Sequence, residues 1–217
     1  MSTQPSAAPG AALPLQAHWR SVYQRKAQVE TSWFREHLDE SLRLIDALGL
    51  PLSAPVIDVG GGRSTLVDDL QARGFTDLTV LDLADEAMAE SRARIGSKAA
   101  AVRWWCGDVT RLDLPASRFL LWHDRAVFHF MAEPRARARY AEQMASAIAP
   151  GGYAVIATFA LDGPERCSNL PVQRYDATGL AAEFGDSFMR VAEGRELHTT
   201  PSGATQPFTY VALQRHP

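Results

Sequence analysis

The chain has 217 residues and a mass of 23.8 kDa, enough for one α/β domain with a substantial core and too few for two ordinary domains. Hydrophobic residues make up 46% and charged residues 22%, and a net charge of -3 excludes a global field that would draw the chain to nucleic acid or an anionic membrane. Two cysteines, Cys106 and Cys167, are too few for a disulfide framework or a thiolate metal site; no metal is expected, and the cysteine usage fits a reducing cytoplasm.

Residues 1–17 are rich in Ala, Pro, Ser, Gln and Gly, carry no charge, and lack the basic start and long apolar core of a signal peptide. They read as a disordered tail, with a single domain over 18–217. No apolar run is long enough to span a bilayer, so a soluble, cytoplasmic protein is expected. From His18 to Gly49 the pattern is helical, with Phe34, Leu38, Leu42, Ile45 and Leu48 at helix-like intervals and Gly49 and Pro51 stopping the run. Trp19, Tyr23 and Trp33 lie in this stretch. Large aromatics at helical spacing usually serve a core, but an aromatic face also attracts a cation by about 0.5–2 kcal/mol.

The stretch Pro55-Val56-Ile57-Asp58-Val59-Gly60-Gly61-Gly62-Arg63-Ser64-Thr65-Leu66 predicts a buried strand, a tight turn and a helix start. Gly60, Gly61 and Gly62 let the backbone turn sharply and leave no Cβ between it and a ligand across the helix N-terminus. The dinucleotide fingerprint Gly-x-Gly-x-x-Gly would put its third glycine where Thr65 stands. The pattern present is Asp-x-Gly-x-Gly.

The helix after the turn runs to Gly74, and Leu78 to Leu83 predicts a second buried strand. Asp82 in it lies 20 residues after Gly62, where α/β nucleotide folds place a carboxylate to accept from ribose hydroxyls. A helix is expected from Ala84 to Ile95, and then a third strand from Ala101 to Val109 carrying Gly107-Asp108-Val109 at its end. The fourth strand is read from Arg118 to Asp124, continuing to Met131. Pro134 opens a helix that ends before Pro150-Gly151-Gly152, and Tyr153 to Ala160 is the fifth strand. Strands alternating with helices predict a mainly parallel sheet whose strand ends would bring Asp58, Asp82 and Asp108 to one rim.

Leu161 to Tyr175 reads as a loop placed to contact substrate, with Cys167 in it, although a lone cysteine is usually inert. Asp176 is a candidate cap for a helix through Phe184. Phe188 to Leu197 and Gln206 to Leu213 are strand patterns joined by hairpin chemistry, so the sheet should end antiparallel. Arg135, Arg137 and Arg139 alternate around their helix and read as a solvated surface rather than a phosphate track.

Together, Trp19-x-x-x-Tyr23 with Trp33, Asp58-Val59-Gly60-Gly61-Gly62, Leu81-Asp82-Leu83, Gly107-Asp108-Val109 and Trp122 to Phe130 resemble a bacterial class I S-adenosylmethionine (SAM) dependent methyltransferase. The small thiopurine-methyltransferase-like enzymes and related protein-lysine methyltransferases are the relatives suggested. The resemblance implies a Rossmann-like, seven-stranded sheet, mainly parallel with a C-terminal antiparallel hairpin, and SAM as cofactor. It implies cofactor contacts from Trp19, Tyr23, Trp33, Asp58, Gly60, Gly61, Gly62, Asp82, Leu83, Asp108, Val109 and Asp124. In this family Asp108 would accept from the adenine amino group. The later glycine of the family's first motif is Ser64 here.

Methyl transfer from a sulfonium is an in-line displacement, so the enzyme aligns the nucleophile, excludes water and, where needed, takes a proton. Asp124, His123 and His129 are the candidate bases. Asp124 is favoured on the resemblance, His129 has a competing reading as a core histidine, and strand alternation points His123 away from Asp124. Asp124-Arg125-Ala126-Val127 stands where an Asn/Asp-Pro-Pro-aromatic motif would, which argues against adenine-N6 or glutamine methylation. A small-molecule thiol, hydroxyl or amine is the expected acceptor. A protein lysine is the alternative, with an NAD-dependent oxidoreductase and a SAM-binding module without catalysis behind it.

Overall fold

A computed structural model describes residues 14–25 and 27–217. Residues 1–13 of the expected tail lie outside the described residues, and 14–17 are helical rather than tail, because helix α1 (Pro14–Arg25) opens at Pro14. The single helical run expected from His18 to Gly49 is two helices: α1 and α2 (Asp39–Ala47), separated by a 3-10 turn at Gln28–Glu30 and irregular chain to Leu38. The aromatic residues explain the break. In one continuous helix Trp19 and Trp33 would stand about 21 Å apart along the axis; folded back, their rings meet edge to face at 5.8 Å.

The sheet follows the strand and helix alternation read from the sequence. Its elements are β1 (Pro55–Val59), α3 (Leu66–Ala72), β2 (Asp77–Asp82), α4 (Asp85–Ile95), β3 (Val102–Cys106), β4 (Phe119–Arg125), α5 (Pro134–Ala147) and β5 (Ile148–Phe159). A two-residue-per-strand hairpin, β6 (Arg166–Cys167) and β7 (Leu170–Pro171), interrupts the expected loop, turning through Ser168 and Asn169, both at positive φ. Asp176 caps α6 (Ala177–Ala182), accepting from the Gly179 N–H at 2.7 Å, and β8 (Phe188–Thr199) and β9 (Thr205–Arg215) close the chain.

The seven strands lie in the order β3-β2-β1-β4-β5-β9-β8. The first five are parallel, while β9 runs antiparallel to β5 and β8 antiparallel to β9. Near-continuous apolar runs form the central strands because both faces are covered. Val56, Leu121 and Val155 point to a core shared with Leu44 and Ile45 of α2 and Leu66 and Leu70 of α3. Ile57, Trp122 and Ile156 point to the opposite core, shared with Tyr140 and Met144 of α5 and Leu180 of α6. Each fully buried side chain of this size stabilises the fold by about 1.5–3 kcal/mol.

The fourth strand ends earlier than its sequence pattern suggests. The Ala126 N–H makes a last bond to the Ala157 carbonyl at 2.9 Å, Ala126 then turns at φ 72°, and a 3-10 turn covers Phe128–Phe130. The cause is local: the Asp124 carboxylate accepts from the N–H groups of Val127 (2.8 Å) and Phe128 (2.9 Å) and so turns the chain out of the sheet. Among the described residues no helix is long and apolar enough to cross a membrane.

Candidate active site

The carboxyl ends of β1, β2, β3 and β4 open onto a cavity of about 790 Å³, within the roughly 300–1,000 Å³ of small-molecule sites. Asp82 at the end of β2 lines it while remaining 6% exposed. Its Oδ1 accepts from the Ala84 N–H at 2.8 Å and its Oδ2 from the Gly62 N–H at 3.0 Å. Burial pushes its pKa up to about 6 in spite of these donors. Each oxygen keeps a lone pair, which is what two adjacent hydroxyls require.

Beyond β3, Asp108 also lines the cavity, and its Oδ1 accepts from the Thr110 N–H at 2.9 Å and Oγ1 at 2.8 Å. Leu83 and Val109 are apolar neighbours of these two carboxylates on the same wall. Gly60 reaches the wall at φ 71°, and a Cβ there would collide with Val127. Gly61 and Gly62 lie behind it instead. A Cβ on Gly61 would collide with Asp58 Oδ2, and one on Gly62 would stand 2.5 Å from Asp82 Oδ2, so these two glycines make room for carboxylates.

The aromatic segment forms the roof. Trp19 packs against Tyr23 (5.9 Å between ring centres), Trp33 (5.8 Å) and Phe130 (5.2 Å), and all four line the cavity. The roof is tied to the sheet domain by Gln16, which donates to the Leu83 carbonyl at 3.0 Å, and by Arg63, which donates to the Tyr23 carbonyl at 2.6 Å. The Arg63 guanidinium also sits 4.9 Å over the Tyr23 ring. Burial and the nearby Asp82 hold the Tyr23 hydroxyl far above its usual pKa, so it stays protonated.

Not all expected residues reach the cavity. Asp58 is buried, with Oδ1 at 2.7 Å from His123 Nδ1, and Asp124 is fully buried. Asp124 accepts from the two N–H groups of the 3-10 turn and from the Tyr140 hydroxyl. Burial raises its pKa to about 6, but a base must reach the proton that it removes, and neither Asp124 nor His129 lines the cavity. His129 is buried among Phe130 (4.4 Å) and Phe159 (4.9 Å), and desolvation lowers its pKa to about 3, leaving a neutral core histidine. In this structure Asp124 holds the turn after β4 and His129 packs in the core, and neither faces the cavity. The residue one beyond Asp124 does reach the site: Arg125, buried, lines the cavity and donates to the Trp33 carbonyl (3.1 Å), Tyr210 Oη (3.0 Å) and Glu196 Oε2 (3.4 Å).

Other lining residues had no single motif. Phe159 and Phe208 come from β5 and β9, and Cys167 comes from the β6–β7 hairpin. Arg135 and Arg139, one helical turn apart on α5, line the cavity mouth, whereas Arg137 between them turns to Glu183 at 3.0 Å. Arg135 and Arg139 remain exposed there, as a solvated surface requires, and Arg137 is half-buried by its ion pair.

The residues present suit SAM. Asp82 offers lone pairs to a diol, Asp108 keeps acceptor capacity for an amino group, and Trp19, Tyr23 and Trp33 bring aromatic rings, which attract cations, to the cavity wall. The buried Asp58 Oδ2 has no hydrogen-bond partner among the described residues.

A methyltransferase domain family matches residues 56–152. Human EEF1A lysine methyltransferase 2 is 27% identical over 126 residues, covering 54% of this chain and 53% of that protein. The chain thus spans about half the length of the curated relatives it matches. Among solved structures, one concerned with the conversion of a disulfide bond into a thioacetal group during echinomycin biosynthesis has a TM-score of 0.76 at 17% identity, covering 93% of this chain and 92% of that one. Burkholderia thailandensis 1,6-didemethyltoxoflavin-N1-methyltransferase, solved with its namesake compound and S-adenosylhomocysteine, has a TM-score of 0.68 at 23% identity, covering 98% and 94%. These structures show the fold. With the sheet order and the domain match over residues 56–152, the chain has the Rossmann-like fold of the class I SAM-dependent methyltransferases, which it resembles.

Proposed function

We propose that the chain transfers a methyl group from SAM to a heteroatom of a small molecule. The observation that carries this reading is the provenance of the cavity walls. Helix α1 gives Trp19 and Tyr23, the following segment gives Trp33 and the β6–β7 hairpin gives Cys167, so elements outside the sheet core surround the cavity with apolar surface. A substrate must enter this space, which suits a compact acceptor. The toxoflavin-type relative, solved with a small heterocycle, supports the same class.

In this reading Asp82 accepts from the ribose hydroxyls, Asp108 from the adenine amino group, and Leu83 and Val109 pack beside the nucleoside. Gly60 lies under the methionine portion, and Trp19, Tyr23 and Trp33 face the sulfonium. When bound, SAM supplies an electrophilic methyl group. The carboxylates lining the cavity are Asp82, Asp108 and Glu133, the first two committed to the cofactor and Glu133 exposed at the mouth. The protein therefore works by alignment and water exclusion, on an acceptor whose nucleophilic atom arrives with a free lone pair.

The test is transfer of radiolabel from SAM to a panel of thiols, hydroxyl compounds, amines and ring nitrogen compounds, beside a cell lysate. Label in a small-molecule product supports the proposal. Label confined to protein bands would support the second reading, a protein-lysine acceptor, which the partial match to EEF1A lysine methyltransferase 2 favours.

A further inference from the structure

Behind the cavity, three buried polar side chains form a line of hydrogen bonds. Asp58 on β1 and His123 on β4 are paired across adjacent parallel strands. His123 Nδ1 lies 2.7 Å from Asp58 Oδ1, and His123 Nε2 lies 2.9 Å from the Oγ of Ser41 on α2. Their exposures are 4%, 1% and 0% for Asp58, His123 and Ser41. The set has the composition of a hydrolytic triad, but a serine with no exposed surface cannot meet an acyl substrate. Its work must be done at the other end, on Asp58.

There the carboxylate is only half used. Oδ1 is held by His123, while Oδ2 is buried without a partner among the described residues. A buried carboxylate oxygen left in that condition is costly and calls for a donor. Asp58 and His123 also line a second, smaller cavity of about 50 Å³, room for a few ordered waters. This cavity adjoins the large one, since Tyr23, Trp33, Val59, Gly60 and Arg125 line both. With the nucleoside assigned in the proposed reading to Asp82 and Asp108 on β2 and β3, the amino-acid end of a bound cofactor would fall on the Gly60 and Arg125 side.

We propose that His123, backed by Ser41, is a positioning residue that fixes Asp58 so that its second oxygen serves the ammonium group of the cofactor, directly or through an ordered water. A neutral imidazole satisfies the line by donating from Nδ1 to Asp58 and accepting the Ser41 hydroxyl proton at Nε2. The inference rests on the SAM-binding reading above.

Calorimetry with two probes tests it: S-adenosylhomocysteine, which carries the amino-acid tail, and 5′-methylthioadenosine, which lacks it. The variant His123→Leu removes the donor to Asp58 and is expected to weaken S-adenosylhomocysteine on the order of tenfold to a hundredfold, the weight of one charge-assisted hydrogen bond. Its affinity for 5′-methylthioadenosine stays unchanged. His123→Asn, which keeps a donor at a similar distance from the backbone, restores most of the loss. Equal losses for both probes, or no loss for either, overturn the assignment and leave His123 a purely structural residue. If the leucine variant does not fold, Ser41→Ala carries the test, with a smaller loss of the same tail selectivity expected and an unselective loss or none overturning it. A wild-type protein that binds neither probe removes the cofactor reading itself, and this inference with it.

Discussion

The Asp82 carboxylate lies directly beneath the Gly62 backbone: Oδ2 accepts from the Gly62 N–H at 3.0 Å, and a Cβ at position 62 would stand 2.5 Å from that oxygen and 2.7 Å from Cβ of Ala87. The turn and the carboxylate 20 residues later thus form one device. Gly62→Ala is expected to push the turn away from Asp82, destabilising the protein by about 1–3 kcal/mol and abolishing measurable S-adenosylhomocysteine binding. Urea unfolding and calorimetry check both. A variant with wild-type stability and affinity would show that the turn yields freely.

If Asp82 holds the ribose as proposed, it also sets a pH dependence for cofactor binding. Burial raises its pKa to about 6, and acceptance from two ribose hydroxyls requires the ionised form. Affinity for S-adenosylhomocysteine should therefore be flat above that value and fall by up to about tenfold per pH unit below it, as a proton competes with the ligand. Asp82→Asn should bind weakly with no such slope. A wild-type profile that is level from pH 5 to 8 would contradict the role given to Asp82.

Asp124 makes a different prediction because it faces the fold rather than the cavity. Its pKa of about 6 in the fold exceeds the roughly 3.9 of an unfolded chain, so the native state binds the proton more tightly. Its contribution to stability is then greatest below the unfolded pKa, declines as pH rises from about 4 to about 6, and is level above. Asp124→Asn removes that titration. The stability difference, wild type minus variant, should fall across this window in denaturant titrations run at several pH values, and parallel curves would show that Asp124 does not titrate as assigned.

Much of this was legible in the sequence because the signals were local and periodic. The strand runs around Ile57, Val80 and Leu121, the glycine turn and the acids at the strand ends placed β1, β2 and β4 and the rim carrying Asp82 and Asp108. The failures came where long-range contact overrides local pattern. Phe34 sits on a helical repeat with Leu38 and Leu42, yet the contact of its neighbour Trp33 with Trp19 requires the chain to fold back. The apolar run Val127 to Met131 reads as a strand, yet the Asp124 carboxylate turns it. Arg125 is not legible as a site residue beside Asp124, since nothing local shows that Tyr210 and Glu196, from β9 and β8, hold its guanidinium in the wall. An i, i+4 test on α5 would have paired Arg135 with Arg139.

On the proposed reading, the aromatic roof should discriminate between the two forms of the cofactor. Trp19 and Trp33 line the cavity, and the SAM sulfonium is cationic whereas the thioether of S-adenosylhomocysteine is neutral. Replacing Trp33 by Leu keeps apolar bulk but removes the ring quadrupole. SAM affinity should then drop about two- to thirtyfold more than S-adenosylhomocysteine affinity, the equivalent of about 0.5–2 kcal/mol. Equal losses would make the roof a packing element only.

The placement of acids and bases bears finally on the acceptor. Asp124 and His129 are out of reach, the Tyr23 hydroxyl is held protonated, and Asp82 and Asp108 are assigned to the nucleoside. With no buried base left at the cavity among the described residues, the proposed transfer calls for an acceptor that arrives already deprotonated. In a series of acceptors with one scaffold and graded acidity, the limb of kcat/KM against pH should therefore move with the pKa of the acceptor, at pH values where Asp82 stays ionised. Asp124→Asn and His129→Gln should leave the position of that limb unchanged even where they lower stability. A limb fixed at one pH across the series, and displaced by either variant, would restore a protein base to the mechanism.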